Sequence, residues 1–266
     1  MATAADASAK VPGATAEVRV TRLPRGEAES DLIAVEEPLE LRVGDEPVAG
    51  TMRTPGHDDV LALGYAIGEG LEPLGVELPA DLAANTVELR VRDFDPDRLK
   101  RSFYTSSSCG VCGKGAAEAV RVHAQPVESA LRVSWTLLGA LPQRLRDAQP
   151  TFAQTGGLHA AGLFDPAGTL LCVREDVGRH NALDKAVGWA FGAGRLPLAD
   201  AILCLSGRLS FELVQKASLA GCPIVVGVGA PSSLAVELAE AQGITLCGWA
   251  RADRVSVYAH PARVCG

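Results

Sequence analysis

With 266 residues, 47% of them apolar, and a net charge of −7, the chain has enough material for an ordinary hydrophobic core without disulfide staples. Basic and acidic residues are interspersed, which excludes a global attraction for nucleic acid or an anionic membrane and leaves anion binding to a local basic pocket.

The opening "MATAADASAKVPGATAE" has neither the basic start and apolar core of a secretion signal nor the Arg-rich character of a transit peptide, so residues 1–16 are expected to form a disordered tail. From Glu17 to about Arg53, short apolar alternations broken by Gly and Pro predict a meander of antiparallel strands. "PGHDDVLALGYAIGEG" predicts a helix, with Asp58 or Asp59 as N-cap and Val60, Leu63, Ile67 and Leu71 at helical spacing. "TVELRVR" alternates as a strand. The stretch "TSSSCGVCGKGAAEAV" then sets Cys109 and Cys112 on a Ser- and Gly-rich loop before a helix expected through Ala116 to Val122, and another helix is expected over Trp135 to Ala148.

The second half alternates. "TGGLHAAGLFDPAGTLLCVRED" predicts two strands around an Asp-Pro-Ala-Gly turn; "HNALDKAVGWAFGAG", "SFELVQKASLAG" and "SSLAVELAEAQG" read as helices, and "AILCLS", "PIVVGVG" and "ITLCGWA" as strands. Continuous apolar strands between helices that end in Gly predict an α/β sandwich with several parallel strands buried on both faces. The charge-free run from Ala217 to Val236 is cut by Gly221-Cys222-Pro223 and Ala230-Pro231, so it is not a membrane span. The expected organisation is a tail (1–16), a β-rich part with one helix (17–104), a mobile C-x-x-C loop with the following helix (105–123) and an α/β core (124–266), in a soluble cytoplasmic protein.

Of seven cysteines, Cys172, Cys204, Cys222 and Cys247 lie in or beside apolar runs and are expected to be buried hydrophobes, and Cys265 to be incidental. Cys109 and Cys112 are the pair with deliberate spacing. At the head of a helix and close to Lys114, their thiols favour the thiolate, the species that attacks sulfur. Three uses stay open at this point: a reactive or carrier pair, half a metal site, or an inert surface pair. Against zinc, His123 is one further candidate ligand where a structural site needs four.

Four other segments carry groups suited to a ligand. "REDVGRHNALDK" concentrates Arg174, Glu175, Asp176, Arg179, His180, Asp184 and Lys185 at a strand-to-helix junction, where α/β sheets bind ligands; the alternative is a solvated cap with surface ion pairs. His159 follows a double glycine, and Ser206-Gly207-Arg208 sits between strand and helix, without the signature of a P-loop. In "GWARADRVSVYAHP", an indole and two guanidiniums, Trp249, Arg251 and Arg254, suit stacking on a base and neutralising phosphates.

"SSCGVCGK", "TGGLHAA", "REDVGRHNALDK", "SGRLSFELVQKA", "APSSLAVELAE", "YAHPARV" and the earlier "TMRTPGHDDVLALGYAIGEG", in this order, resemble the FdhD family of sulfur carriers required for formate dehydrogenase activity, from about residue 17 to the C-terminus. The resemblance implies a cytidine-deaminase-like three-layer α/β core with an additional N-terminal β-rich subdomain. It implies transfer of sulfur from a cysteine desulfurase to the molybdenum or tungsten bis(pyranopterin guanine dinucleotide) cofactor before that cofactor enters formate dehydrogenase. Cys109 would carry the persulfide and Cys112 assist transfer or resolve it. The family's cofactor segment falls on Trp249, Ala250, Arg251, Ala252, Asp253 and Arg254, and a homodimer is implied. Zinc is not expected, because "HAA" lacks the acid and "SCGVC" the proline of zinc deaminases. The rival classes are a thiol-disulfide oxidoreductase, which needs no sulfur donor, and a cofactor-binding chaperone, which would not need Cys109.

Overall fold

The computed structural model describes residues 13–78, 85–95 and 124–266. The loop with Cys109 and Cys112, the helix expected through Ala116 to Val122 and the tail up to residue 12 lie outside the described residues.

Strand β1 (Thr15–Arg22) begins two residues before the boundary expected from the sequence and pairs antiparallel with β2 (Glu27–Ala34). A second antiparallel hairpin, β3 (Glu37–Val43) with β4 (Glu46–Arg53), leads into α1 (Asp58–Gly68), β5 (Pro73–Glu77) and β6 (Thr86–Val91). The sheet order is β4-β3-β6-β5, with β3 and β6 parallel. Alternation puts Leu39, Leu41, Val48, Val87 and Leu89 on one face, where they close a core with Leu61, Ala62 and Ala66 of α1. Neither Asp58 nor Asp59 caps α1. The N-cap is His57, in the left-handed region at φ 58°, and both aspartates fall in the first turn. Asp58 is taken by Arg53, whose Nε and Nη2 donate to its two carboxylate oxygens at 3.0 and 2.9 Å.

The remainder builds the central core. In chain order it comprises β7 (Val133–Ser134), α2 (Trp135–Asp147), α3 (Pro150–Thr155), β8 (His159–Phe164), β9 (Leu170–Asp176), α4 (Arg179–Gly192), β10 (Ile202–Leu205), α5 (Phe211–Leu219), β11 (Ile224–Gly227), α6 (Ser233–Gln242), β12 (Thr245–Arg251), β13 (Arg254–Ala259) and β14 (Val264–Cys265). Six strands form one sheet in the order β13-β12-β11-β10-β8-β9. Strands β10, β11 and β12 run parallel because α5 and α6 supply the long crossovers this requires, while β8 and β13 flank them antiparallel.

All four residues of β10 and of β11 are buried, since both faces of the sheet are covered. On one side, α4, α5 and α6 pack Leu183, Val187, Leu213 and Leu238 against Leu163, Leu203, Val225 and Leu246. On the other, α2 presents Leu138, Leu141 and Leu145, spaced at three and four residues, to Phe164, Ile202, Ile224 and Cys247. Ser134 caps α2 by accepting from the Leu137 N–H at 3.2 Å. The expected sandwich is present as a mixed sheet between helical layers.

Helices α1 and α4 join the two parts in close contact. An ideal Cβ on Gly64 falls 1.8 Å from the Asp184 carbonyl oxygen, and one on Gly188 falls 1.8 Å from that of Val60. Each helix therefore needs glycine where the other's backbone passes. Among the described residues, no helix is long and apolar enough to cross a membrane.

Candidate functional site

The ends of β10, β11 and β12, the start of β8 and the end of β9 meet on one edge of the central sheet, where α/β folds hold ligands. Backbone bonds tie these ends into a row. The Trp249 N–H donates to the Gly229 carbonyl and the Gly229 N–H to the Gly207 carbonyl, each at 3.2 Å. Gly207 in turn faces the His159 ring, 3.5 Å from where a Cβ would stand. The result is a row of strand ends with an indole at one end and an imidazole at the other, and Arg208 packs over Gly229, 3.3 Å from where a Cβ would stand.

Trp249 has φ 50°, a conformation costly for a bulky residue, at a register shift between β12 and β13. The irregularity turns the indole outward, 40% exposed, while Ala250 drops into the α2-side core at 1% exposure. Arg251 and Arg254 pair across the turn formed by Ala252 and Asp253, and all four side chains are exposed. Neither guanidinium has a carboxylate partner among the described residues. A Cβ on Gly139 of α2 would lie 2.4 Å from the Arg251 carbonyl oxygen, so that helix backs directly onto the hairpin. Of the cofactor segment named from the sequence, the Trp249 ring and the two guanidiniums are thus presented to solvent. Arg208 is likewise exposed.

At the other end, Ser206 Oγ accepts from the Ala160 N–H at 2.8 Å and makes a long 3.5 Å contact with His159 Nδ1. Burial, then the positive charge of Arg179 and His180, hold the His159 imidazole below its ordinary pKa. His180 Nε2 lies 2.7 Å from Glu212 Oε2, and that hydrogen bond holds the Glu212 carboxyl below the usual carboxylate range.

The other charges of "REDVGRHNALDK" form no solvated cap. Lys185 and Asp176, 1% and 0% exposed, pair at 2.7 Å. Lys185 Nζ also donates to the Thr54 carbonyl at 2.8 Å, and Asp176 Oδ2 accepts from the Thr54 N–H at 3.1 Å. Asn181 Nδ2 donates to the Met52 carbonyl at 2.7 Å and to Asp176 Oδ1 at 3.0 Å, and its Oδ1 accepts from Thr51 Oγ1 at 3.1 Å. The segment thus clamps "TMRT" of the N-terminal part to the end of β9 and the head of α4. A second buried pair, Asp184 with Lys216 at 2.8 Å, ties α4 to α5. Glu175 caps α3, accepting from the Thr151 and Phe152 N–H groups at 3.0 and 2.7 Å. Arg174 is buried, its Nη1 donating to the Val173 carbonyl at 2.9 Å.

Sequence reasoning missed the link that Gly229 makes between Gly207 and Trp249, and the clamping roles of Thr54 and Asn181. The glycine that ends the run "PIVVGVG" was the available signal for the first. Cys172, Cys204, Cys222 and Cys247 are buried, as expected; Cys265 is half-buried. Burial pushes the Cys222 and Cys247 thiols up to about 12, and the Cys204 thiol up as well.

A mixed central sheet between helices, with Trp249 exposed at its strand ends, defines a layered α/β protein. Residues 34–265 match the model of the FdhD/NarQ family. The chain belongs to this family. It is 44% identical to the sulfur carrier protein FdhD of Mycolicibacterium paratuberculosis (strain ATCC BAA-968 / K-10) over 94% of its own length and 98% of the relative's. The protein of the same name from Anaeromyxobacter dehalogenans (strain 2CP-C) is 43% identical over 99% and 98% of the two chains. A crystal structure from Desulfotalea psychrophila, assigned to a formate dehydrogenase accessory protein, superposes with a TM-score of 0.71 at 21% identity, covering 94% of this chain and 98% of the other.

Proposed function

We propose that the chain is a sulfur carrier serving formate dehydrogenase. Cys109 thiolate attacks the outer sulfur of a cysteine desulfurase persulfide; the new S–S bond forms on Cys109, the old one breaks, and the desulfurase thiolate leaves. The sulfur then passes to a molybdenum or tungsten bis(pyranopterin guanine dinucleotide) cofactor bound at the strand ends as substrate, before that cofactor enters formate dehydrogenase. Cys112 assists the transfer or resolves the persulfide; in resolving it, the Cys112 thiolate attacks the Cys109 sulfur, the Cys109–Cys112 disulfide forms and the outer sulfur leaves as sulfide. Trp249 stacks on a guanine, while Arg251 and Arg254, beside Ala252 and Asp253, face its phosphates. The same reading makes the core cytidine-deaminase-like, the protein cytoplasmic and the working unit a homodimer.

The observation that carries the proposal is the outward Trp249 on a left-handed backbone, with the exposed guanidiniums of Arg251 and Arg254 beside it and without a carboxylate partner among the described residues. An aromatic platform next to cations suits a nucleotide-bearing ligand, and strain of this kind concentrates at ligand sites. Membership of a family whose curated relatives are called sulfur carriers supports the rest.

The test is peptide mass spectrometry after incubation with an active cysteine desulfurase and L-cysteine, comparing the native chain with Cys109→Ala and Cys112→Ala. A reductant-labile added sulfur on the Cys109 peptide, absent from Cys109→Ala, is the expected outcome. Loading on neither cysteine removes the carrier step and leaves the cofactor-binding chaperone or the redox protein in its place.

A further inference from the structure

A cavity of about 290 Å³ opens at the end of the central strands opposite Trp249, where β8 ends, β9 begins and the chain returns from α4 to β10. Its floor is the core itself, the buried Leu163 and Ala201, and the half-buried Leu171, Trp189 and Leu196 stand around it. The returning loop is tied down on both sides. The Gly194 and Arg195 N–H groups donate back to the Phe191 and Ala190 carbonyls of α4 at 2.9 and 2.8 Å, and the Leu198 N–H donates to the Ala220 carbonyl at 2.9 Å. Pro197 packs so closely on Gly221 that a Cβ there would fall 2.6 Å from its own. The cavity is thus preformed. Ligand sites run from about 300 to 1,000 Å³, so at the small end of that range it takes one small molecule and not a nucleotide or a peptide segment.

Two opposite charges, Arg195 and Asp200, line this cavity from the same loop, and both side chains are exposed. They form no ion pair with each other, and neither pairs with another charge among the described residues. A cation and an anion held apart over an apolar floor complement a molecule that carries both charges and an apolar group on one small frame. An acid alone would leave Asp200 unanswered, and an amine alone Arg195. An α-amino acid answers both: its carboxylate meets the guanidinium fork, its ammonium meets the Asp200 carboxylate, and an apolar side chain lies against the indole and the leucines.

We propose that this cavity binds a free α-amino acid with an apolar side chain, oriented by Arg195 and Asp200. The site lies at the other end of the strands from Trp249 and does not depend on the sulfur-carrier reading.

The experiment uses the full chain with L-methionine, with N-acetyl-L-methionine, which lacks the ammonium, and with L-methionine methyl ester, which lacks the carboxylate. Indole N–H resonances of isotope-labelled protein, that of Trp189 assigned with Trp189→Phe, read binding at the cavity separately from Trp135 and Trp249. Arg195→Gln and Asp200→Asn each remove one charge at an exposed position, so both variants are expected to fold. The expected result is a saturable shift of the Trp189 resonance with L-methionine, weakened about tenfold by either blocked derivative. Arg195→Gln should weaken L-methionine by a similar factor and leave the ester unchanged, and Asp200→Asn should weaken L-methionine and leave the N-acetyl form unchanged. Equal binding of all three molecules, or binding indifferent to both substitutions, overturns the inference and leaves a plain apolar pocket. A shift at Trp135 or Trp249 in place of Trp189, or no saturable shift up to about 10 mM, overturns it outright. None of these outcomes touches sulfur loading on Cys109, so the two readings fail separately.

Discussion

Lys185 shows how little of a side chain's role is legible from its type. Read along the sequence, it belongs to a charged junction; in the fold its ammonium is 1% exposed and held between Asp176 and the Thr54 carbonyl. Lys185→Met would strand the Asp176 carboxylate in the interior, at a cost of about 3–5 kcal/mol, which a urea unfolding curve would register as a lower midpoint at unchanged slope. Two neighbouring groups contribute to the pH response. His159 is held below its ordinary 6.5, so the unfolded chain takes up a proton first as pH falls; the stability it contributes is full above 6.5 and declines as pH drops toward the folded value. Glu212 is held below its ordinary 4.5 by its bond from His180, so its contribution is present above 4.5 and is lost as pH falls through the folded value. Unfolding midpoints followed down the pH scale should therefore fall first as His159 titrates, a stage absent from His159→Asn, and again in the carboxylate range, a stage reduced in Glu212→Gln and kept in part by Asp165, which hydrogen bonds from Thr169 also hold below its ordinary value. The sequence singled out both histidines and the charged junction, but its partner "TMRT" lies more than a hundred residues away, beyond the reach of any local pattern.

At the scale of elements, the glycines of α1 and α4 decide how the two parts meet. Gly64→Ala or Gly188→Ala would set a methyl 1.8 Å from a backbone oxygen of the opposing helix, which no rotamer can relieve, and a loss of about 1–3 kcal/mol or more is expected in chemical denaturation. Gly192, at the end of α4 with nothing within 4 Å, is the control; there alanine should be neutral or stabilise by about 0.5–1 kcal/mol. Strands buried on both faces and helices with leucine at three- and four-residue spacing were plain in the sequence, because each carries its own period. The six-residue α3 and the two-residue strands β7 and β14 were not, since they are too short to repeat a pattern. Nor was the direction of β8 and β13: an apolar run reads alike in parallel and antiparallel pairing, and only the connections decide. The N-cap of α1 failed for another reason. Asp58 has the right chemistry for a cap, and Arg53 competes for it successfully.

Across the whole molecule, the β-rich part and the central core share one buried polar network, with Asn181 contributing three of its hydrogen bonds. At about 1 kcal/mol each, Asn181→Ala should cost about 3 kcal/mol and, if the clamp is what couples the parts, broaden or split the single calorimetric transition expected of the native chain. The sequence pointed to Trp249 and the arginines and flagged His159 as an isolated residue. Strand order, which no local pattern shows, brings the end of β12 and the start of β8 to the same edge. The core thiols extend the picture in time. Cys204 and Cys222 are wholly enclosed, with pKa values raised by burial, so a disulfide reagent can reach them only when the surrounding structure opens. Their modification rate is thus a built-in clock for breathing of the central sheet.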